Sequence, residues 1–165
     1  MVIANMAEAT ALAGEIAARL KERGETVAVA ESSAGGLIAA ALLAVPGASA
    51  YFLGGSVVYT GRAMRELLGL SRETLATHRS ASPERAQVLA GAARDRLGAT
   101  WGLGETGAAG PTGNPYGDAP GHTCIAVAGP MALVETIETA SPDRAANMVA
   151  FTVATLRLFR AALER

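Results

Sequence analysis

Thr26-Val27-Ala28-Val29-Ala30-Glu31-Ser32-Ser33-Ala34-Gly35-Gly36-Leu37 runs from an apolar stretch, through two hydroxyls and two glycines, into a second apolar stretch that ends at Leu43. The first part reads as a strand over Thr26–Glu31, and Gly35–Leu43 reads as the helix that follows it. A strand passing directly into a helix is the unit from which α/β proteins are built. At such a junction unpaired backbone N–H groups and the positive end of the helix dipole converge, so anions and developing oxyanions are stabilised there. Gly35 and Gly36 let a ligand approach the backbone closely. Ser32 therefore stands where a nucleophile or a phosphate belongs, although the same pattern also serves simply to turn a strand into a helix.

Upstream, Leu12, Ile16 and Leu20 share one face of a helix over Met6–Arg23, which Gly24 stops. Downstream, Phe52–Tyr59 reads as a strand whose Gly54-Gly55 suggests a bulge or close backbone contact. Short helices follow at Ala63–Leu68, ended by Gly69, and at Arg72–Thr77, capped by Ser71. Ser82-Pro83-Glu84 is a helix start with a capping serine, proline at the first position and an acid in the first turn; the helix runs to Leu97. Thr100–Thr106 is expected as a strand, followed by a loop over Gly107–Pro120. Gly129-Pro130 marks a hairpin between strands Thr123–Val127 and Ala132–Ile137. Ser141-Pro142-Asp143 caps a last helix whose apolar stripe is Val149, Val153, Leu156 and Leu163. Helices alternating with strands, then a late antiparallel hairpin, predict an α/β fold: a three-layer α/β/α sandwich on a mixed, mainly parallel sheet. One domain over residues 1–165 is expected, with no internal repeat and no linker.

Composition narrows the function. The 165 residues are 50% hydrophobic with a net charge of −1. That balance gives no basic surplus for nucleic acid, and no uninterrupted apolar run reaches the roughly 20 residues of a membrane span. Met1–Ala9 lacks the pattern of a secretory signal, so a cytoplasmic protein is the expectation. Cys124 stands alone, which excludes an internal disulfide and a cysteine-built zinc site. His78 and His122 have no second ligand at helical or hairpin spacing, so no metal is expected.

Two further segments are candidates for chemistry. Tyr59 closes a strand at the edge where α/β sheets collect ligands, though a strand-end tyrosine also serves as ordinary amphipathic core. The loop Thr106-Gly107-Ala108-Ala109-Gly110-Pro111-Thr112-Gly113 has glycines able to present N–H groups to a phosphate or carboxylate. It is not a P-loop, because no Lys-Ser or Lys-Thr follows at the required spacing.

Together, and in this order, these segments resemble the CinA C-terminal domain family over nearly the whole chain. Ala30-Glu31-Ser32-Ser33-Ala34-Gly35-Gly36 is similar to the family's Ala-Glu-Ser-Cys-Thr-Gly-Gly. Val57-Val58-Tyr59-Thr60-Gly61-Arg62-Ala63-Met64 is similar to its Val-Thr-Tyr-Ser-Asn-Glu-Ala-Lys. Thr106-Gly107-Ala108-Ala109-Gly110-Pro111 resembles its Ser-Gly-Ile-Ala-Gly-Pro. The resemblance implies an amidohydrolase converting nicotinamide mononucleotide to nicotinic acid mononucleotide and ammonia, without metal or organic cofactor, in a homodimer or larger homo-oligomer. Ser32 would attack the carboxamide and Tyr59 would bond in the same site. Glu31, Ser33, Gly35, Gly36, Thr106, Gly107 and Gly110 would bind substrate, with N–H groups of the Ser33–Gly36 turn forming the oxyanion hole.

Two departures weigh against a fully equipped enzyme. The lysine expected to take the serine proton is Met64, and no thioether does that; Glu31, as the strand neighbour of Ser32, should point to the opposite face. The last helix of the family opens Gly-Asp-Arg-x-x-Val-Arg; Pro142, Asp143 and Arg144 match it, but the second arginine falls at Met148. The alternative is a catalytically impaired member that binds a nucleotide-like ligand or a protein partner in the same cleft.

Overall fold

The computed structural model describes residues 4–165; the first three, part of the Met1–Ala9 stretch considered above, lie outside the described residues. In chain order the elements are α1 (Met6–Arg23), β1 (Val27–Glu31), α2 (Leu37–Leu43), β2 (Phe52–Val57), α3 (Gly61–Leu68), α4 (Arg72–Thr77), α5 (Pro83–Leu97), β3 (Trp101–Ala108), β4 (His122–Ala128), β5 (Leu133–Glu138) and α6 (Arg144–Leu163). The sheet order is β2-β1-β3-β4-β5. Pairing is parallel from β2 through β1 to β3, then antiparallel from β3 through β4 to β5. The three-layer sandwich is therefore observed. One difference is that β3 continues through Thr106 and Gly107 to Ala108. Its antiparallel register with β4 pairs Thr106 with Cys124 and Gly107 with Thr123, so the long loop closes a hairpin.

Alternation along β1 separates the two faces. Val27 and Val29 join the larger core, with Leu12, Ile16 and Leu20 of α1, Ile38 and Leu42 of α2, and Phe151, Leu156 and Phe159 of α6. Trp101 at the start of β3 meets Phe159 edge to face, with ring centroids 5.6 Å apart. The length and apolar composition of α6 would suit a membrane span, but Phe151, Val153, Leu156, Phe159 and Leu163 are buried in this core.

Ala28 and Ala30 face the opposite layer, where Leu89 and Ala93 of α5 pack with Met64 and Leu68 of α3. Small side chains bring α5 onto the sheet backbone. A Cβ on Gly104 would lie 2.1 Å from the Ala86 carbonyl oxygen, and one on Gly102 would lie 1.9 Å from that of Ala90. Both distances are far inside contact. The local starts follow side-chain capping: Ser82 Oγ accepts from Arg85 N at 3.1 Å, and Asp143 accepts from Ala146 N at 3.0 Å.

Gly104→Ala must push α5 away from β3. The expected cost is about 3 kcal/mol, toward the upper end for overpacking a filled site. Urea denaturation of both proteins measures it, and an unchanged midpoint contradicts the close packing.

Candidate active site

The C-terminal ends of β1 and β3 and the start of α6 enclose a cleft of about 270 Å³, lined by Ser33, Tyr59, Gly107, Gly110, Thr112, Arg144 and neighbouring loop residues. Among the residues singled out from sequence, Ser33, Tyr59, Gly107 and Gly110 meet in this cleft. Ser32, Glu31, Gly35, Gly36 and Thr106 are not part of its lining.

Glu31 is fully buried and does point away from the cleft. Its carboxylate accepts from the N–H groups of Gly36 at 2.5 Å, Ala39 at 2.9 Å and Ile38 at 3.2 Å. The anion attracted by the N-terminus of α2 is thus the chain's own carboxylate. Burial is the strongest influence on Glu31 and pushes it from an ordinary 4.5 to about 7. The N–H bonds oppose this rise, and the nearby charge of Glu105 adds to it.

Glu105 is the principal residue that sequence reading missed. It is buried, and its carboxylate holds the turn between β1 and α2. Oε2 accepts from Ser32 N at 3.0 Å and Ala34 N at 2.9 Å. Oε1 accepts from the Ser33 hydroxyl and, at 2.7 Å, from Thr123 Oγ1. The expected oxyanion hole is largely spoken for by the fold. Ala34 N serves Glu105, Gly36 N serves Glu31, and Gly35 N donates to Ser32 O at 3.1 Å. Gly35 and Gly36 have φ of 69° and 98°, the left-handed conformations this turn requires. The signal for Glu105 was an acid inside a strand of otherwise small or apolar residues.

Thr106 faces the α5 side, where its Oγ1 accepts from Ala81 N at 3.1 Å. Ala81 sits at a φ of 54°, its carbonyl accepting from His122 Nε2 at 2.9 Å. His122 Nδ1 bonds Glu138. Burial opposes charge on this imidazole, but its bonds to Glu138 and Ala81 and the charge of Asp118 outweigh it, so its pKa is raised.

The glycine loop is tied to α6 at two consecutive carbonyls. Buried Asn147 donates to Ala109 O at 2.8 Å, and Arg144 Nη1 donates to Gly110 O at 2.6 Å. Farther out, Asp118 accepts from both Nη1 and Nη2 of Arg79, at 2.7 and 3.2 Å, and from Asn114 Nδ2 at 2.7 Å. Arg144 Nη2 also donates to Tyr59 Oη at 3.1 Å. Arg144 forms no ion pair among the described residues, and it occupies the first helical position of α6, the end where a cation is disfavoured. Sequence matching had touched Arg144 without assigning it to the site.

The two methionines have structural explanations. Met64 is 2% exposed in the core between α3 and α5, where its sulfur accepts from Arg85 Nη1 at 3.3 Å. Arg85, itself buried, spends Nη2 on the carbonyls of Leu75 and His78. A lysine at position 64 would meet this guanidinium. Met148 covers the turn, since a Cβ on Gly35 would come 2.5 Å from its Cε. Among the described residues, no group of three or more His, Cys, Asp or Glu side chains is arranged to hold a metal ion.

The cleft lies at the C-terminal strand ends, beside the turn after β1, the edge where α/β sheets as a class collect ligands. The CinA C-terminal domain family matches residues 9–163, and the chain belongs to that family. A CinA-like protein of Anaeromyxobacter dehalogenans is 43% identical over 152 residues, covering 90% of this chain and 36% of the relative. One from Prochlorococcus marinus is 45% identical over 119 residues, covering 72% of this chain and 28% of the relative. The chain thus spans about a third of the length of the curated relatives it matches. The crystal structure of the competence/damage inducible protein CihA from Agrobacterium tumefaciens superposes with a TM-score of 0.88 at 31% identity, covering 96% of both chains. A competence damage-inducible protein from Klebsiella pneumoniae gives 0.89 at 27% identity, covering 95% of this chain and 98% of its own.

Two stability measurements test these assignments. The folded pKa of Glu31 lies above its unfolded value, so its contribution is whole below pH 4.5 and is lost as pH rises through about 7. Thermal unfolding from pH 4.5 to 8 should show a fall on the order of 3 kcal/mol that Glu31→Gln removes; an identical slope in the variant refutes the assignment. Met64→Lys should destabilise by roughly 3 kcal/mol, as a second buried cation beside Arg85. A melting temperature equal to that of the parent would mean that the site accommodates the charge.

Proposed function

We propose that the chain is a nicotinamide-nucleotide amidase, hydrolysing the carboxamide of nicotinamide mononucleotide to nicotinic acid mononucleotide and ammonia through a serine of the turn after β1. One juxtaposition carries this reading: a hydroxyl bonded to a buried carboxylate and a guanidinium without an acidic partner line the same cleft. A pyridine mononucleotide needs both, a nucleophile for the amide and a cation for the phosphate. Among the described residues, two of the five Arg144 N–H donors are committed, to Gly110 O and Tyr59 Oη, which leaves others for phosphate oxygens. Tyr59, 60% exposed, offers its ring as a wall for the pyridine.

In this mechanism the nucleotide docks its phosphate at Arg144 and its carboxamide at the β1 end. Serine attack gives an acyl-enzyme that water hydrolyses. The fixed loop at Ala109 and Gly110 holds the substrate in register and lowers the entropic part of the barrier.

Met64 favours a second reading, binding without turnover. The lysine that the family resemblance expects is a thioether facing Arg85, so general-base assistance worth about 10²–10⁴-fold must come from elsewhere or be absent.

Purified protein incubated with nicotinamide mononucleotide should release equal amounts of nicotinic acid mononucleotide and ammonia. Arg144→Ala should raise KM about tenfold or more by removing a charge-assisted phosphate contact. Saturable nucleotide binding without product would support the second reading. Neither binding nor product would refute both.

A further inference from the structure

We propose that Ser33, rather than Ser32, is the nucleophile of this cleft and that Glu105 is its general base, a deepening that rests on the amidase reading. The two serines are neighbours, but the turn gives them different surroundings. Ser32 contributes its backbone N–H to Glu105, and its hydroxyl bonds no other group among the described residues. Among the described residues, no base is hydrogen-bonded to it. Ser33 lines the cleft, and its hydroxyl donates to Glu105 Oε1.

An ionised carboxylate only accepts, so the single Ser33 hydroxyl hydrogen is committed to Glu105 and the oxygen lone pairs remain for a substrate carbon. A nucleophile bonded to a base that a further group orients is the arrangement covalent hydrolysis requires. Here the orienting groups are the N–H donors of Ser32 and Ala34 on Oε2 and the Thr123 hydroxyl on Oε1. Thr123 bonds the same carboxylate, but it is fully buried and does not line the cleft. In the Ser33–Gly36 turn, the N–H groups of Ala34, Gly35 and Gly36 are used internally, which leaves that of Ser33. The nucleophile's own N–H is one of the two oxyanion donors in serine hydrolases of other folds.

The chemistry balances within these groups. Ser33 Oγ bonds the carboxamide carbon while its proton passes to Glu105. The tetrahedral adduct collapses as the C–N bond breaks, and Glu105 returns that proton to the departing nitrogen, releasing ammonia and leaving an ester on Ser33. Water then attacks the ester carbon and gives a proton to Glu105. The Ser33 oxygen leaves and takes that proton back, freeing the carboxylic acid.

The test pairs turnover with covalent labelling. Wild type, Ser32→Ala, Ser33→Ala and Glu105→Gln are assayed with nicotinamide mononucleotide, and each is treated with a fluorophosphonate whose adduct is located by tandem mass spectrometry. Turnover should fall more than 10³-fold in Ser33→Ala and less than tenfold in Ser32→Ala, and Glu105→Gln should lose about 10²–10⁴-fold. The label should sit on Ser33 and be lost in Glu105→Gln. If Glu105→Gln unfolds, Ser33→Ala decides the matter, because it leaves the other three bonds of Glu105 in place. A label on Ser33 in a protein that does not turn the nucleotide over upholds the nucleophile and refutes the substrate. A label on Ser32, no label, or activity abolished by Ser32→Ala alone overturns the proposal.

Discussion

A carboxylate in the middle of a sheet has to be surrounded by donors, and in this protein meeting that need gives the site its shape. Glu105 gathers two backbone N–H groups and two hydroxyls from the β1–α2 turn and the neighbouring strand β4. Burying a carboxylate without such partners costs several kcal/mol, so these bonds hold the turn against β3. The turn position sets where Ser33 meets the cleft, and the β3 register sets where Gly107 and the loop beyond it begin. The geometry of this edge is inherited from one internal carboxyl group.

Two acids share this small region and do different work. Glu31 satisfies three N–H groups at the start of α2, the donors that a strand-to-helix turn ordinarily leaves for a ligand. Glu105 fixes the turn itself. The helix end already holds a carboxylate of the chain's own, and the guanidinium that lines the cleft is that of Arg144, at the start of α6. The glycine loop is consequently held less by its own turns than by α6, through Arg144 and Asn147.

Much of the fold was legible because hydrophobic period and caps are local signals. The Leu12, Ile16 and Leu20 stripe, Ser82-Pro83-Glu84 and the strand read over Thr26–Glu31 all correspond to observed elements, the last beginning at Val27. The β3 end was read short because Gly107 and Ala108 look like loop residues, and only pairing with Thr123 and His122 makes them strand. The site was legible in outline, since Ser33, Tyr59, Gly107 and Gly110 do converge. What stayed hidden depends on contacts distant in sequence. Glu105 acquires meaning only when β3 lies beside β1, and Met64 only when Arg85 is seen to occupy the space that a lysine would need. Arg144 carried a readable physical anomaly, a cation on the first turn of a helix.

The bare contact between α5 and β3 sets how this domain can tolerate change. Cores built of leucine and phenylalanine absorb a substitution by shifting rotamers, because several side chains share the adjustment. At Gly102 and Gly104 the touching surfaces are peptide groups, the Ala90 methyl and the Arg94 Cβ, none of which a change of rotamer moves. An added carbon there must move a whole helix. Glu105 follows Gly104 directly, so such a displacement arrives at the carboxylate that holds the β1–α2 turn within one residue. The alanine-rich interface thus behaves as a rigid bearing: it holds the cleft to tight tolerance and leaves α5 almost no room to drift in sequence without detuning the chemistry.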